Sequence, residues 1–333
     1  MMNLQRPASR FACATAVAVF MLLLCCGCGK NDDRYGEQVS ANSSAPRAAG
    51  KKLNVVATIS IIGDWVHVVG GDDIDLKTLV GPDGDPHEYE PVPSDNLELA
   101  QADIVFQNGL GLENWLDKLL LASQSKALRI VVTSGIQVRG IPAAEAGPFA
   151  TGREDDRDPH AWQDVSNASA MVSNIAIALG AADRPHASAY RSRAYDYVRQ
   201  LSELDQWVKD QINSLPPARR KLVTSHDAFG YFGQRYGVDV TRSALESVTS
   251  EASDPSAQQI ASVVAGIKSA GVPAIFLENV QNPKLIDQIA DQAQVKVAPS
   301  LYSDALGQPG TAGDTYLKMI RYNVNTMVKA LSQ

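Results

Sequence analysis

Three histidines and one aspartate stand in settings suited to holding a divalent cation. The tripeptide Asp-Pro-His occurs twice, as Asp85-Pro86-His87 in GDPHEYEP and as Asp158-Pro159-His160 in RDPHAWQD. Proline fixes its own φ and restrains the residue before it, so each histidine is expected on a stiff loop at the start of a helix. His226 follows an apolar run in KLVTSHDAFGYF, and Asp304 follows VKVAPS in LYSDALG. The crevice beyond the carboxyl ends of parallel strands is where binding side chains gather. The four positions lie 73, 66 and 78 residues apart, two in each half of the chain's body. Three neutral imidazoles and a carboxylate suit Zn²⁺, tetrahedral or, with a bidentate carboxylate, five-coordinate. Spacing by itself leaves their convergence open.

Other chemically capable residues have simpler readings. His67 lies within a helical pattern and His186 begins another, so both are assigned to solvated or core-edge positions. Glu278 in FLENVQNPK follows a strand and is read first as a partner of nearby backbone, second as a ligand. Trp115 and Trp162 read as packing residues. The acidic run Glu154–Asp158 reads as a solvated loop that would draw cations toward a cleft entrance. All four cysteines, Cys13, Cys25, Cys26 and Cys28, fall within the first 28 residues, which leaves the body without a thiol and any metal to His, Asp or Glu. A net charge of −7 without clustered Lys and Arg excludes nucleic acid as the main partner and disfavours anions.

Positioning these groups calls for strands that end in loops. Leu53–Ser60 reads as a strand feeding a helix that carries Ile61, Ile62, Trp65, Val68 and Val69 on one side. Strand and helix alternate onward: helix from Asp95 to Gln101, strand in ADIVFQNG, helix from Leu112 to Ser123, strand in LRIVVTSG. A second series follows residue 215, with strands in RKLVTS, VDVTRSA, VPAIFLEN and VKVAPS separated by helices, and a final helical segment over Thr311–Leu331. The expected fold class is α/β: two similar lobes, each a parallel sheet flanked by helices. Between them Tyr190, Ala194, Leu201, Leu204, Val208 and Ile212 keep one helical period across Asp183–Asn213 without an internal Gly or Pro. One stiff linking helix is therefore expected, with small relative motion of the lobes. The boundaries are 53–182 for the first lobe, 183–214 for the linking helix and 215–333 for the second lobe.

The amino terminus has the form of an export signal over residues 1–27: Arg6 and Arg10, then the short apolar run ATAVAVFMLLLCC. Residues 28–52 are Ser, Asn, Ala, Gly and charge, and read as a flexible tether. Gly27-Cys28 within LCCGCGKNDD resembles the lipobox of bacterial lipoproteins, which implies lipidation of Cys28 and anchoring on the periplasmic or outer face of a membrane.

The ordered series GPDGDPHEYEPVPSD, NGLGLENWLDKL, DPHAWQDVSNA, TSHDAFGYFGQRYGV, FLENVQNPK and LYSDALG resembles the zinc- and manganese-receptor class of ABC-importer solute-binding proteins, across residues 53–333. The resemblance implies two α/β lobes joined by a long helix and a buried ion held by His87, His160, His226 and Asp304. It also implies delivery of that ion to a membrane permease by a monomer that catalyses no reaction. In that family the third ligand tends to be Glu in manganese receptors and His in zinc or mixed ones. His226 therefore makes Zn²⁺ the first expectation, as does the position of manganese below zinc in the affinity order. Gly140–Asp158 lacks the histidine-rich loop of many zinc receptors, which keeps Mn²⁺ as the alternative. A zinc hydrolase on the same ligands would need an open coordination position and a general base, and the chain has neither an HExxH motif nor a base placed by motif. A surface adhesin is the third class weighed, and no adhesive signature is present. In competition experiments His226→Glu should move preference from zinc toward manganese; an unaltered ratio would show that the third ligand does not set selectivity.

Overall fold

The computed structural model describes residues 51–140, 157–224, 227–240, 257–279 and 283–333. The export signal, Cys28, most of the tether and His226 lie outside the described residues.

In the first half, β1 (Leu53–Ile59) runs into α1 (Ser60–Gly70), β2 (Ile74–Val80), α2 (Pro93–Gln101), β3 (Ile104–Gln107), α3 (Leu116–Ala122) and β4 (Leu128–Val131). The strands form one parallel sheet in the order β2-β1-β3-β4. β1 is buried along almost its whole length, as expected of a central parallel strand covered on both faces. β2, absent from the expected elements, is an edge strand whose exposed Asp75 and Lys77 break the apolar run. The helix expected from Leu112 begins only at Leu116. Gly109, Leu110 and Gly111 all have positive φ, which no helix accommodates. The Glu113 carboxylate holds this turn by accepting the Asn108 and Gly109 N–H groups and the Thr58 hydroxyl.

In the second half, β5 (Lys221–Leu222), α6 (Gly230–Tyr236), β6 (Asp239–Val240), α7 (Ala257–Ala270), β7 (Ala274–Glu278), α8 (Pro283–Ala293) and β8 (Lys296–Leu301) follow in turn. β5 pairs with β6 and β7 with β8, all parallel. A parallel bridge between Thr224 and Phe276, with the Phe276 N–H donated to the Val223 carbonyl, joins the two pairs. The order β6-β5-β7-β8 is thus second-first-third-fourth, the same as in the first sheet. Both sheets have a switch point where successive connections leave to opposite sides, and crevices form there.

Two long helices lie between these sheets in sequence. α4 (Val165–Ala182), absent from the expected elements, is a core helix with Met171, Val172, Ile175 and Leu179 fully buried. α5 (Ala187–Asn213) is the linking helix, 27 residues and about 40 Å long at 1.5 Å per residue. All six residues of its expected stripe are buried, with Tyr197 added. It packs against α1 and α4 of the first lobe, and against α6 and the carboxy-terminal helix α9 (Tyr316–Leu331).

Polar contacts fasten α5 toward either end. Arg193 donates to the Val69 and Gly70 carbonyls at the end of α1 and pairs with Asp73. Farther along, Asp205 accepts from Arg235 and Tyr236 of α6 and from Lys209. Burial alone would raise the Asp205 carboxyl, but the donors from Arg235, Lys209 and Tyr236 outweigh it and hold it below the ordinary carboxylate range. A carboxyl lowered by folding stabilises fully above its unfolded value of about 4 and ceases to do so as pH falls through its folded value. Asp205→Asn should therefore be less stable than wild type at neutral pH in urea denaturation, with the gap narrowing below about pH 4. An equal gap at both pH values would contradict this assignment.

Candidate metal centre

The loop between β2 and α2 presents His87. It opens with a turn closed by the Gly84 N–H on the Gly81 carbonyl, with Pro82 and Asp83 at its centre and Asp83 at φ 58°. The Asp85 carboxylate accepts the His87 N–H at 2.8 Å, and the Pro86 carbonyl accepts Trp115 Nε1–H at 2.9 Å. Tyr89 packs edge-on against the Trp115 ring and donates to Asp95. Trp115 thus does more than pack: it pins the loop that carries His87.

His160 is held more tightly. It immediately precedes a 3-10 turn, Ala161–Gln163, ahead of α4, and is buried. The Asp158 Oδ1 atom accepts the His160 backbone N–H at 3.0 Å and lies 2.7 Å from ring Nδ1. An ionised carboxylate there places the ring proton on Nδ1 and leaves the Nε2 lone pair for the site. Burial pushes the Asp158 carboxyl up, but hydrogen bonding and charge from His160 and the charge of Arg139 prevail and hold it below the ordinary range. Asp158 is 2% exposed, so the expectation of a solvated loop through Glu154–Asp158 is wrong at its last residue. The repeated Asp-Pro-His tripeptide was the available signal: in both copies the aspartate receives the histidine's backbone N–H, and in the second it also takes the ring.

Asp304 follows β8 and is 1% exposed. Its neighbour Ser303 is fixed from the first lobe, the Ser303 carbonyl accepting Trp162 Nε1–H at 2.8 Å and Gln163 Nε2–H at 3.0 Å. Trp162 also lies edge-on to the His160 ring, and Tyr316 of α9 donates to its carbonyl. One short segment, residues 160–163, therefore positions both a histidine and the loop bearing the aspartate.

These supports bring three of the four expected ligands together. His87 Nε2 is 3.3 Å from His160 Nε2 and 3.5 Å from Asp304 Oδ2, and His160 Nε2 is 3.6 Å from Asp304 Oδ1. A tetrahedron with metal–ligand bonds of about 2.1 Å has edges of about 3.4 Å, so the observed spacings are those of a ligand set around one ion. The two Asp304 oxygens face different imidazoles, as a bidentate carboxylate would. Among the described residues this is the group whose donor atoms converge for a metal. His226, the fourth expected ligand, lies outside the described residues. Glu278 is buried at the end of β7 and does not belong to the cluster. His67 is exposed on α1, and His186 bonds Asp183 at the foot of α5, away from the cluster.

Comparison with known proteins points to metal-binding proteins. The family described as "Zinc-uptake complex component A periplasmic" matches residues 55–330. The manganese-binding lipoprotein MntA of Halalkalibacterium halodurans is 34% identical over 322 residues, 96% of this chain and 99% of its own. The periplasmic zinc-binding protein TroA of Treponema pallidum superposes with a TM-score of 0.73 at 34% identity, covering 85% of this chain and 100% of its own. A Mn-bound periplasmic metal-binding protein from Candidatus Liberibacter asiaticus gives 0.72 at 26% identity, covering 84% and 100%. Replacing the carboxylate behind His160, as in Asp158→Asn, should weaken metal binding by roughly 10- to 100-fold, the usual cost of losing such a partner. Calorimetric titration of folded protein tests it, and an affinity equal to wild type would refute the orienting role.

Proposed function

We propose that this chain, which belongs to the zinc-uptake complex component A family of periplasmic metal-binding proteins, captures one divalent transition-metal ion between its lobes and delivers it to the permease of an ABC importer. The observation that carries this reading is the approach of His87, His160 and Asp304 to tetrahedral edge lengths from opposite halves of the chain. His226 completes the set as a third imidazole. It stands two residues beyond Thr224, which bridges to β7 at the sheet's switch point.

Capture involves no bond-making in the cargo beyond exchange of water for protein ligands. The ion sheds water, the neutral imidazoles and the ionised carboxylate replace it, and the lobes shield it. A site closed by four protein ligands leaves no position for an activated water, which is why a hydrolase on this scaffold is the weaker reading. An adhesive role draws on no feature of the site. The chain acts as a monomer bounded as 53–182, 183–214 and 215–333, exported by residues 1–27 and anchored through lipidated Cys28 by the tether 28–52. The lipoprotein name of the relative supports the anchor.

Zinc is the first cargo on coordination grounds, since three imidazoles and a carboxylate bind Zn²⁺ more strongly than Mn²⁺. The zinc-binding structural neighbour supports this. Manganese is a second reading, favoured by the manganese-binding relative and the Mn-bound neighbour. Asp304, with both oxygens turned to the site, supplies the hard donors it would use.

Titration of metal-stripped protein with Zn²⁺ and, separately, Mn²⁺ should saturate at one ion per chain, and His87→Ala should abolish tight binding of either. Because protons compete for imidazole, affinity should fall steeply between about pH 7.5 and about pH 5. Absence of stoichiometric binding, or an affinity flat with pH, would overturn the assignment. Elemental analysis of protein from its native host identifies the cargo.

A further inference from the structure

Arg139, just after β4, is bonded on both sides of the cleft. Its Nη1 donates to Asp158 Oδ2 at 2.9 Å and stands at ion-pair distance, 3.9 Å, from Asp227 Oδ2. Asp158 belongs to the first lobe and supports His160; Asp227 follows β5 in the second. The Arg139 backbone joins the same junction. Its N–H donates to Tyr231 Oη on α6 at 2.8 Å, and its carbonyl accepts the Asp158 N–H at 3.0 Å. The Tyr231 hydroxyl donates onward to the Asp158 carbonyl at 3.2 Å. Each of these side chains is mostly shielded from solvent, the guanidinium side chain being 20% exposed and the two carboxylates 3% and 8%.

The second lobe leaves room for this cation. A Cβ on Gly230, the first residue of α6, would fall 2.3 Å from Arg139 Nη1 and 2.8 Å from Asp158 Oδ2. Only bare backbone there lets the guanidinium reach the pair of acids. At the other rim, the His87 loop meets the Asp304 loop through weaker contacts: Asp83 N–H to the Leu306 carbonyl, and Asn279 and Gln308 side-chain amides to Asp83 and the Pro82 carbonyl. Among the described residues of these two rims, Arg139 is the shielded cation that pairs with carboxylates of both lobes, and separating such a pair leaves charges poorly compensated.

We propose that Arg139 is a positioning residue that latches the cleft: it ties Asp158 to Asp227 and Tyr231, and thereby limits how fast the bound ion leaves. The proposal rests on reading His87, His160 and Asp304 as metal ligands. Its reach is release rather than choice of metal, because Arg139 holds the supports of the site and is not one of its ligands. Opening the lobes must part Arg139 from Asp227 and Tyr231, whereas choice of metal belongs to the ligands.

The test is chelator-driven release of Zn²⁺ from the loaded full chain, followed by stopped-flow absorbance of the chelator. Arg139→Gln should release the ion roughly tenfold faster or more, as expected when a charged hydrogen-bonding partner is lost, with one ion per chain still bound at saturation. Gly230→Ala, which keeps every charge but displaces the guanidinium, should also accelerate release and guards against misfolding of the first variant. Arg139→Lys should fall between wild type and Arg139→Gln. Asp227→Asn should accelerate release alone but add little to Arg139→Gln, because both remove one contact. Release at the wild-type rate in both Arg139→Gln and Gly230→Ala would overturn the latch. So would full additivity of Asp227→Asn with Arg139→Gln. Failure of the wild-type chain to bind Zn²⁺ would instead overturn the metal-site reading beneath it.

Discussion

Two imidazole nitrogens and two carboxylate oxygens directed at one point repel one another unless a cation lies among them. That requirement explains why so much of the surrounding structure is given to restraint. The His160 ring is fixed by Asp158, the Asp304 loop by Trp162 and Gln163 through the Ser303 carbonyl, and the His87 loop by Asp85 and Trp115. Donors held in place before the ion arrives lose little further freedom when it binds, which is the advantage of preorganisation.

The supports are unequal, and the inequality has a direction. His160 and Asp304 are buried, while His87 stands on a loop rich in exposed acids and has 37% of its side chain open to solvent. Of the three, His87 is the one open to solvent. The same Asp-Pro-His tripeptide serves both histidines, but burial divides its duties. Asp85 orders only backbone, whereas Asp158, shielded from water and adjacent to Arg139, also governs the ring proton.

The two sheets share one strand order, so the carboxyl ends of their strands can be set facing across a common cleft. α5 holds that relation through Arg193 toward the first lobe and Asp205 toward the second, with an apolar stripe between. The linking helix is packed along its length against helices of both lobes. At the rims of the cleft, Arg139 on one side and Asp83 on the other add polar contacts between the lobes.

Much of this was present in the residue order, because local rules produce it. Alternating strand and helix periods specified an α/β chain, the unbroken stripe from Tyr190 to Ile212 specified the linking helix, and two stiff Asp-Pro-His loops singled out His87 and His160. The edge strand β2 was missed because Asp75 and Lys77 interrupt its apolar run, and α3 was started too early because the role of Glu113 depends on a loop held by distant Thr58. Only tertiary structure decided that Asp158 is buried behind His160, that Trp162 steadies the Asp304 loop, and that Arg139 reaches both lobes. The burial of Asp158 depends on Tyr231, the placing of Asp304 on Trp162 and the bridge from Arg139 on Asp227, all far apart in the chain, and such contacts leave no periodic trace in sequence. Amino-acid order determined which groups could bind a metal; folding determined which of them meet, and how firmly each is held.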